Sequence, residues 1–149
     1  MSATLCNEQL VALARSGIGA ASVTAGQADA EADNPLCGDE IRIRLVWRQE
    51  GGCPVLERLE HCTRGCAVCR ASASLAAVAT AGKTRAELLA LADAFDTCLA
   101  SGDFSSLGGD FRVFDGISSF PSRRHCARLP WTALRRALGG RRVGETPAI

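Results

Sequence analysis

Residues 34–52, NPLCGDEIRIRLVWRQEGG, change character at Glu40. Before it, Asn34-Pro35 and Cys37-Gly38-Asp39 are turn formers and predict a tight loop. After it, Ile41, Ile43, Leu45 and Trp47 alternate with Arg42, Arg44 and Arg48. A period of two of this kind is a half-buried antiparallel strand, apolar residues inward and arginines in water. Gln49-Glu50-Gly51-Gly52 closes a hairpin, and residues 53–61 form the return strand. Val55, Leu56 and Leu59 break the alternation there, which predicts a bulge. A second loop, Thr63-Arg64-Gly65, leads straight into Cys66.

On either side of the hairpin the chain turns helical. Residues 5–16 space Leu5, Leu10, Val11, Leu13 and Ala14 as an amphipathic helix, and the Gly- and Ala-rich residues 17–33 read as a flexible linker. Residues 67–81 are small enough for a helix to pack closely on a sheet, and Gly82 ends it. Thr84 with Glu87 is a capping box that opens a helix to about Ala100, closed by Gly102. Residues 103–120 hold Phe104, Phe111, Phe114 and Phe120, a connection anchored by aromatics. A last helix starts at Pro121, and Pro130 is expected to kink or restart it. The sum is an α+β fold, a small antiparallel sheet packed by helices on one side. The division expected is an N-terminal helix and linker over 1–33, a main domain over 34–140 and a disordered tail over 141–149.

Composition bounds the function. At 149 residues, 47% hydrophobic and 22% charged, the chain suits one globular domain. A net charge of +1 gives no pull toward nucleic acid or an acidic membrane, and no apolar run is long enough to cross a bilayer. The start, MSATLCNEQLVALARS, lacks the pattern of an export signal, so a cytoplasmic protein is expected. Eight cysteines, at 6, 37, 53, 62, 66, 69, 98 and 126, then stand in a reducing compartment. There they serve as buried hydrophobes, metal ligands or nucleophiles.

Cys37 precedes a strand, Cys66 joins a strand to a helix, and Cys126 lies early in the last helix. A hairpin that leaves the first loop and returns at the second puts Cys37 and Cys66 at one end of the sheet. Thiolates select zinc, copper(I) or iron–sulfur clusters, and a tetrahedral site needs four donors. Asp39 reaches the fourth place from the Cys37 loop, and His125, beside Cys126, competes for it. Spacing by itself leaves each cysteine open to two readings, ligand or buried free thiol.

Three segments add a resemblance: NPLCGDEIRI (34–43), GCAVCRASAS (65–74) and FPSRRHCARLPWTAL (120–134). In this order they resemble the signature segments of the U-type iron–sulfur assembly proteins, the IscU, SufU and NifU-N family, over residues 34–138. The long Cys66-to-Cys126 spacing and the Phe-Pro…Trp ending are most similar to the SufU branch. The resemblance implies a compact α+β fold whose pocket is lined by Cys37, Asp39, Cys66 and Cys126 as ligands. In SufU-like members these residues hold zinc, and a cysteine accepts persulfide sulfur from a pyridoxal-phosphate cysteine desulfurase. In IscU-like scaffolds they assemble a [2Fe–2S] cluster from iron and sulfur for recipient apo iron–sulfur proteins, with a histidine beside the third cysteine. His125 stands at that histidine's place, and Cys126 matches the candidate persulfide acceptor. The expectation is a cluster assembly scaffold, and the alternative a zinc-dependent sulfurtransferase. A structural zinc domain without sulfur traffic is a third reading.

This chain departs from the family in three places, one of them a slightly lengthened hairpin between Cys37 and Cys66. Residues 17–33 lack the usual His-Tyr…Pro-Arg-Asn segment, and Cys69 stands where SufU-like chains usually carry serine. Cys69 reads as a small packing residue one turn beyond Cys66, or as a further thiol facing the pocket. Cys62 reads as a strand-end surface thiol or an auxiliary one, and His61 as a solvated strand-end residue. Arg123 and Arg124 either favour the Cys126 thiolate and dock an acidic partner, or are a solvated helix start. Ser72 and Ser74 read as close-packing residues, since no acid or base partner accompanies them.

Overall fold

In the computed structural model, which describes residues 7–139, the hairpin supplies two strands of a three-stranded antiparallel sheet. The strands β1 (Ala30–Asn34), β2 (Asp39–Glu50) and β3 (Cys53–Arg64) lie side by side in that order. Ile41, Ile43, Leu45, Leu56 and Leu59 are buried on one face, as the alternation requires. The other face carries exposed ion pairs, Arg42 with Glu31 at 2.7 Å and Arg58 with Glu60 at 3.0 Å among them. Such pairs keep the face wet and contribute little stability. The bulge lies on β3: Val46 pairs with Arg58 and Trp47 with Leu56, leaving Glu57 unpaired.

Of the four helices described, α2 (Ala67–Thr80) and α4 (Pro121–Ala137) cover the apolar face, while α1 (Glu8–Ser16) packs on α2 and α3 (Arg85–Ser101) mainly on α4. α2 packs between α1, β3 and α4. It is buried on nearly every side because Ala71, Ser72, Ala73, Ser74 and Ala76 leave room for all three neighbours. Thr84 and Glu87 form the expected capping box, each side chain accepting from the other's backbone N–H, at 3.3 and 2.9 Å. The connection before α4 folds as two short 3₁₀ turns, and its phenylalanines close on Phe95 and Trp131. The Phe95 and Trp131 rings stack at 4.6 Å, with Phe104 at 5.4 Å and Phe114 edge-on at 6.0 Å from Phe95. No helix of the described residues is long and apolar enough to cross a membrane.

Four expectations change. Residues 17–33, read as a flexible linker, contain β1 and a segment lying along β3, where His61 N–H donates to Gly19 O and Ala21 N–H to His61 O. Nothing in that Ala- and Gly-rich composition signals a strand. Its order comes from the edges it pairs with, and a Cβ at Gly19 would lie 2.5 Å from that of Ala77. His61 is 4% exposed, held by Thr63 Oγ1 at 2.8 Å and Ile18 O at 2.9 Å. Trp47, assigned to the inner face, is 39% exposed, beyond the bulge. Pro130 neither breaks nor restarts α4, which runs on through Ala137. It removes only the N–H that would bind the Cys126 carbonyl. Leu5, Cys6 and the tail from Gly140 lie outside the described residues.

Candidate metal centre

The β1–β2 turn, the start of α2 and the second turn of α4 meet at one end of the sheet. Asn34 builds the turn: its side chain accepts from Leu36 N–H at 3.1 Å and its carbonyl from Gly38 N–H at 2.8 Å. This arrangement leaves Cys37 exposed at the rim. Asp39 opens β2 two residues before Ile41, so the same alternation that buries Ile41 turns the carboxylate inward, 2% exposed. Cys66 is the N-cap residue of α2, half-buried, and its own side chain caps nothing. Cys126, in α4, is 1% exposed and forms the floor.

Asp39 organises the group. Its Oδ1 accepts the backbone N–H of Cys66 at 2.9 Å, supplying a partner at the helix start. The Cys66 Sγ lies 3.5 Å from Oδ2. Burial alone would raise the Asp39 pKa, but hydrogen bonds from the Cys126 thiol, the Cys66 amide and the Cys37 and Cys66 thiols outweigh it and hold the carboxyl ionised. Burial first, then the neighbouring Asp39 and Cys66, push the Cys126 thiol far above its ordinary range. Cys37 Sγ and Cys126 Sγ are 3.8 Å apart, and the donor atoms of Cys37, Asp39 and Cys126 lie within 4.8 Å of one another.

The donor set suits a soft cation. Two sulfurs and an anionic oxygen lie within 4.8 Å of one another with the Cys66 sulfur beside them, and without a positive charge between them the buried thiol is held protonated. A bound metal reverses that cost, since it deprotonates a coordinating thiol outright. Zinc or iron fits such a set; calcium and magnesium, which take oxygen ligands, do not.

Of the residues singled out from the sequence, Cys37, Asp39 and Cys126 are gathered, and Cys66 joins them through Asp39. His125 is exposed on α4 and belongs to no cluster of metal-type donors among the described residues. Arg123 is exposed on the first turn of α4. Cys69 is fully buried beneath Cys66, and burial first, then the negative field of Asp39, Cys66 and Cys37, raises its thiol strongly. Cys62 lies on the outer sheet face, opposite Arg42. Ser72 does more than pack: its hydroxyl donates to Ala127 O at 2.6 Å and accepts from Trp131 Nε1 at 3.1 Å, tying α2 to α4.

Gly65 escaped the sequence reading. A Cβ there would collide with Asp39 Oδ1 and stand 2.7 Å from its Cγ, so only glycine lets the carboxylate sit against the second loop. The signal was its place immediately before Cys66.

An α+β domain with a cysteine-rich cup at one sheet end has the make-up of the small metal- or iron–sulfur-binding domains. Residues 18–140 match the NifU-like N-terminal domain, and the chain belongs to that family. It is 31% identical over 108 residues to the iron–sulfur cluster assembly scaffold protein IscU of Streptococcus pyogenes serotype M1, a match covering 71% of this chain and 65% of the relative, slightly under two thirds of its length. It is 32% identical over 115 residues to the zinc-dependent sulfurtransferase SufU of Bacillus subtilis (strain 168), covering 76% of each. Among solved structures it is similar to a candidate scaffold protein for the SUF system from Fervidobacterium islandicum AW-1. The TM-score is 0.70 at 26% identity, over 93% of this chain and 99% of that one.

Proposed function

We propose that this chain is an iron–sulfur cluster assembly scaffold that holds iron or a [2Fe–2S] unit on Cys37, Asp39, Cys66 and Cys126 and hands it on. One observation carries the reading: four donors from three separate chain segments meet at the sheet end, with Cys37 exposed at the rim. A cargo site needs this openness. Cys37 admits the cargo and a recipient, while Asp39 and Cys126 give the cup a fixed, buried wall. A carboxylate among thiolates is a weaker ligand for soft iron, which eases release. The partners are a cysteine desulfurase as sulfur source and apo iron–sulfur proteins as recipients, and the expected location is the cytoplasm.

A second reading is favoured by the likeness to the zinc-dependent sulfurtransferase and by the tetrahedral donor count. In it the same residues hold zinc, which keeps thiols ionised. Cys126 is the candidate acceptor: its thiolate attacks the outer sulfur of a donor persulfide, and the donor cysteine leaves as a thiolate.

Anaerobic addition of iron and sulfide separates the two. The scaffold reading expects a coloured, thiolate-bound cluster that moves to an apo acceptor protein. Tight zinc on isolation, no cluster, and desulfurase stimulation abolished by Cys126→Ala would replace it with the second reading.

A further inference from the structure

Cys66 and Cys69 form a Cys-x-x-Cys pair at the start of α2. Arg70 N–H donates to Cys66 O at 3.0 Å, so the first helical turn is closed around the pair. Residues three apart on such a turn have Cβ atoms about 5–6 Å apart, and a disulfide needs roughly 4 Å. The difference is small, and Cys66 has the freedom to close it. As N-cap residue it has extended φ and ψ of −71° and 168°, and its side chain makes no capping bond. The two thiols differ in access: Cys66 is half-buried at the cup and Cys69 is 0% exposed beneath it. A reachable thiol paired with a shielded one at a helix N-terminus is the arrangement of dithiol redox chemistry.

Of this pair, Cys66 belongs to the cup and Cys69 does not. Cys37, Asp39 and Cys126 are the donors within 4.8 Å of one another, and Cys66 stands beside them, its Sγ 3.5 Å from Asp39 Oδ2 and in hydrogen-bond contact with the Cys126 thiol. Cys69 is in no metal-type cluster among the described residues. When Cys66 takes up sulfur it leaves the four-donor set, and Cys37, Asp39 and Cys126 remain to keep a metal.

We propose that Cys69 is a resolving thiol that releases sulfide from a persulfide on Cys66, making this chain its own two-electron reductant for incoming sulfur. The proposal rests on the sulfur-handling role given above. Sulfur arrives when the Cys66 thiolate attacks the outer sulfur of a persulfide, on a donor or on Cys126; that S–S bond breaks and the donor thiolate leaves. Cys69 then attacks Cys66 Sγ. The Cys66–Cys69 bond forms, the bond to the outer sulfur breaks, and that sulfur leaves with the electron pair and the Cys69 proton as hydrogen sulfide. The sulfane sulfur gains two electrons and each cysteine sulfur loses one. Exchange with an external dithiol restores both thiols. Cluster building consumes sulfide, while a persulfide carries sulfur at the oxidised level, so this step joins the two.

The test uses the full chain, fully reduced, freed of excess reductant and mixed anaerobically with glutathione persulfide. Released sulfide is trapped and counted, and the chain is mapped by mass spectrometry after alkylation. The wild type should release sulfide and gain a Cys66–Cys69 disulfide. Cys69→Ser and Cys69→Ala should instead retain the mass of an added sulfur and release several-fold less sulfide until dithiothreitol is added. Cys53→Ser, an exposed thiol at the hairpin, should behave as wild type. Two serine- and alanine-bearing forms guard against one failing to fold. Sulfide release at the wild-type rate from both Cys69 variants would overturn the proposal, as would a disulfide joining Cys37 to Cys126. No sulfur uptake by any form would overturn it too. The scaffold reading is judged apart, by cluster formation when sulfide itself is supplied.

Discussion

The site turns on the placement of one carboxylate. Asp39 is buried at 2% exposure yet ionised, because a backbone amide and three thiols donate to it. Gly65 makes the space, and Gly65→Ala should push the carboxylate aside while the sheet and helices persist. Zinc or cluster affinity should fall about 10- to 100-fold, as for other losses of support around a ligand, with circular dichroism unchanged; titration against a chromophoric chelator reads the loss. His61 gives a second residue-scale prediction. Burial lowers its pKa below 6.5, outweighing the Ile18 carbonyl that raises it, so the folded protein holds a neutral ring that donates to Ile18 and accepts from Thr63. The unfolded chain takes up a proton first as pH falls, so stability should drop as pH passes downward through about 6.5. Melting temperatures between about pH 8 and pH 5 should fall more steeply for the wild type than for His61→Gln. Equal slopes would refute the assignment.

At the scale of elements, much was legible and the misses share a cause. The alternation of Ile41, Ile43 and Leu45 and the capping box at Thr84 are local codes, and both appear as read. β1 and the buried His61 depend on which edge a featureless segment finds, a long-range fact that Ala and Gly do not encode. Cys37, Asp39 and Cys66 were traceable because one hairpin links their loops; His125 was not, since adjacency to Cys126 along a helix points it about 100° away. Ser72 ties α2, which starts at Cys66, to α4, which carries Cys126. Ser72→Ala leaves the buried Trp131 N–H and Ala127 carbonyl without this partner, and should cost about 1–3 kcal/mol in chemical denaturation. Thr84→Ala, at the exposed start of α3, should cost only about 1 kcal/mol and leave metal binding untouched.

For the whole molecule, the donors come from the β1–β2 turn, β2, α2 and α4, so a bound metal cross-links the sheet to both helices. A ligand that binds only the folded state at about 100 times its dissociation constant adds roughly 2.7 kcal/mol. Zinc should therefore raise Tm by several degrees, and a chelator should return it, with Cys126→Ser responding to neither. The central claim is that Cys37, Asp39, Cys66 and Cys126 share one metal-holding site, with Asp39 and not His125 supplying the non-sulfur donor. X-ray absorption at the metal edge of the loaded protein tests it most directly. The expected result is a sulfur-dominated shell with a light-atom donor that is lost in Asp39→Ala and kept in His125→Ala; a shell of nitrogen and oxygen alone, or a light atom lost with His125 and kept without Asp39, would refute the four-donor site.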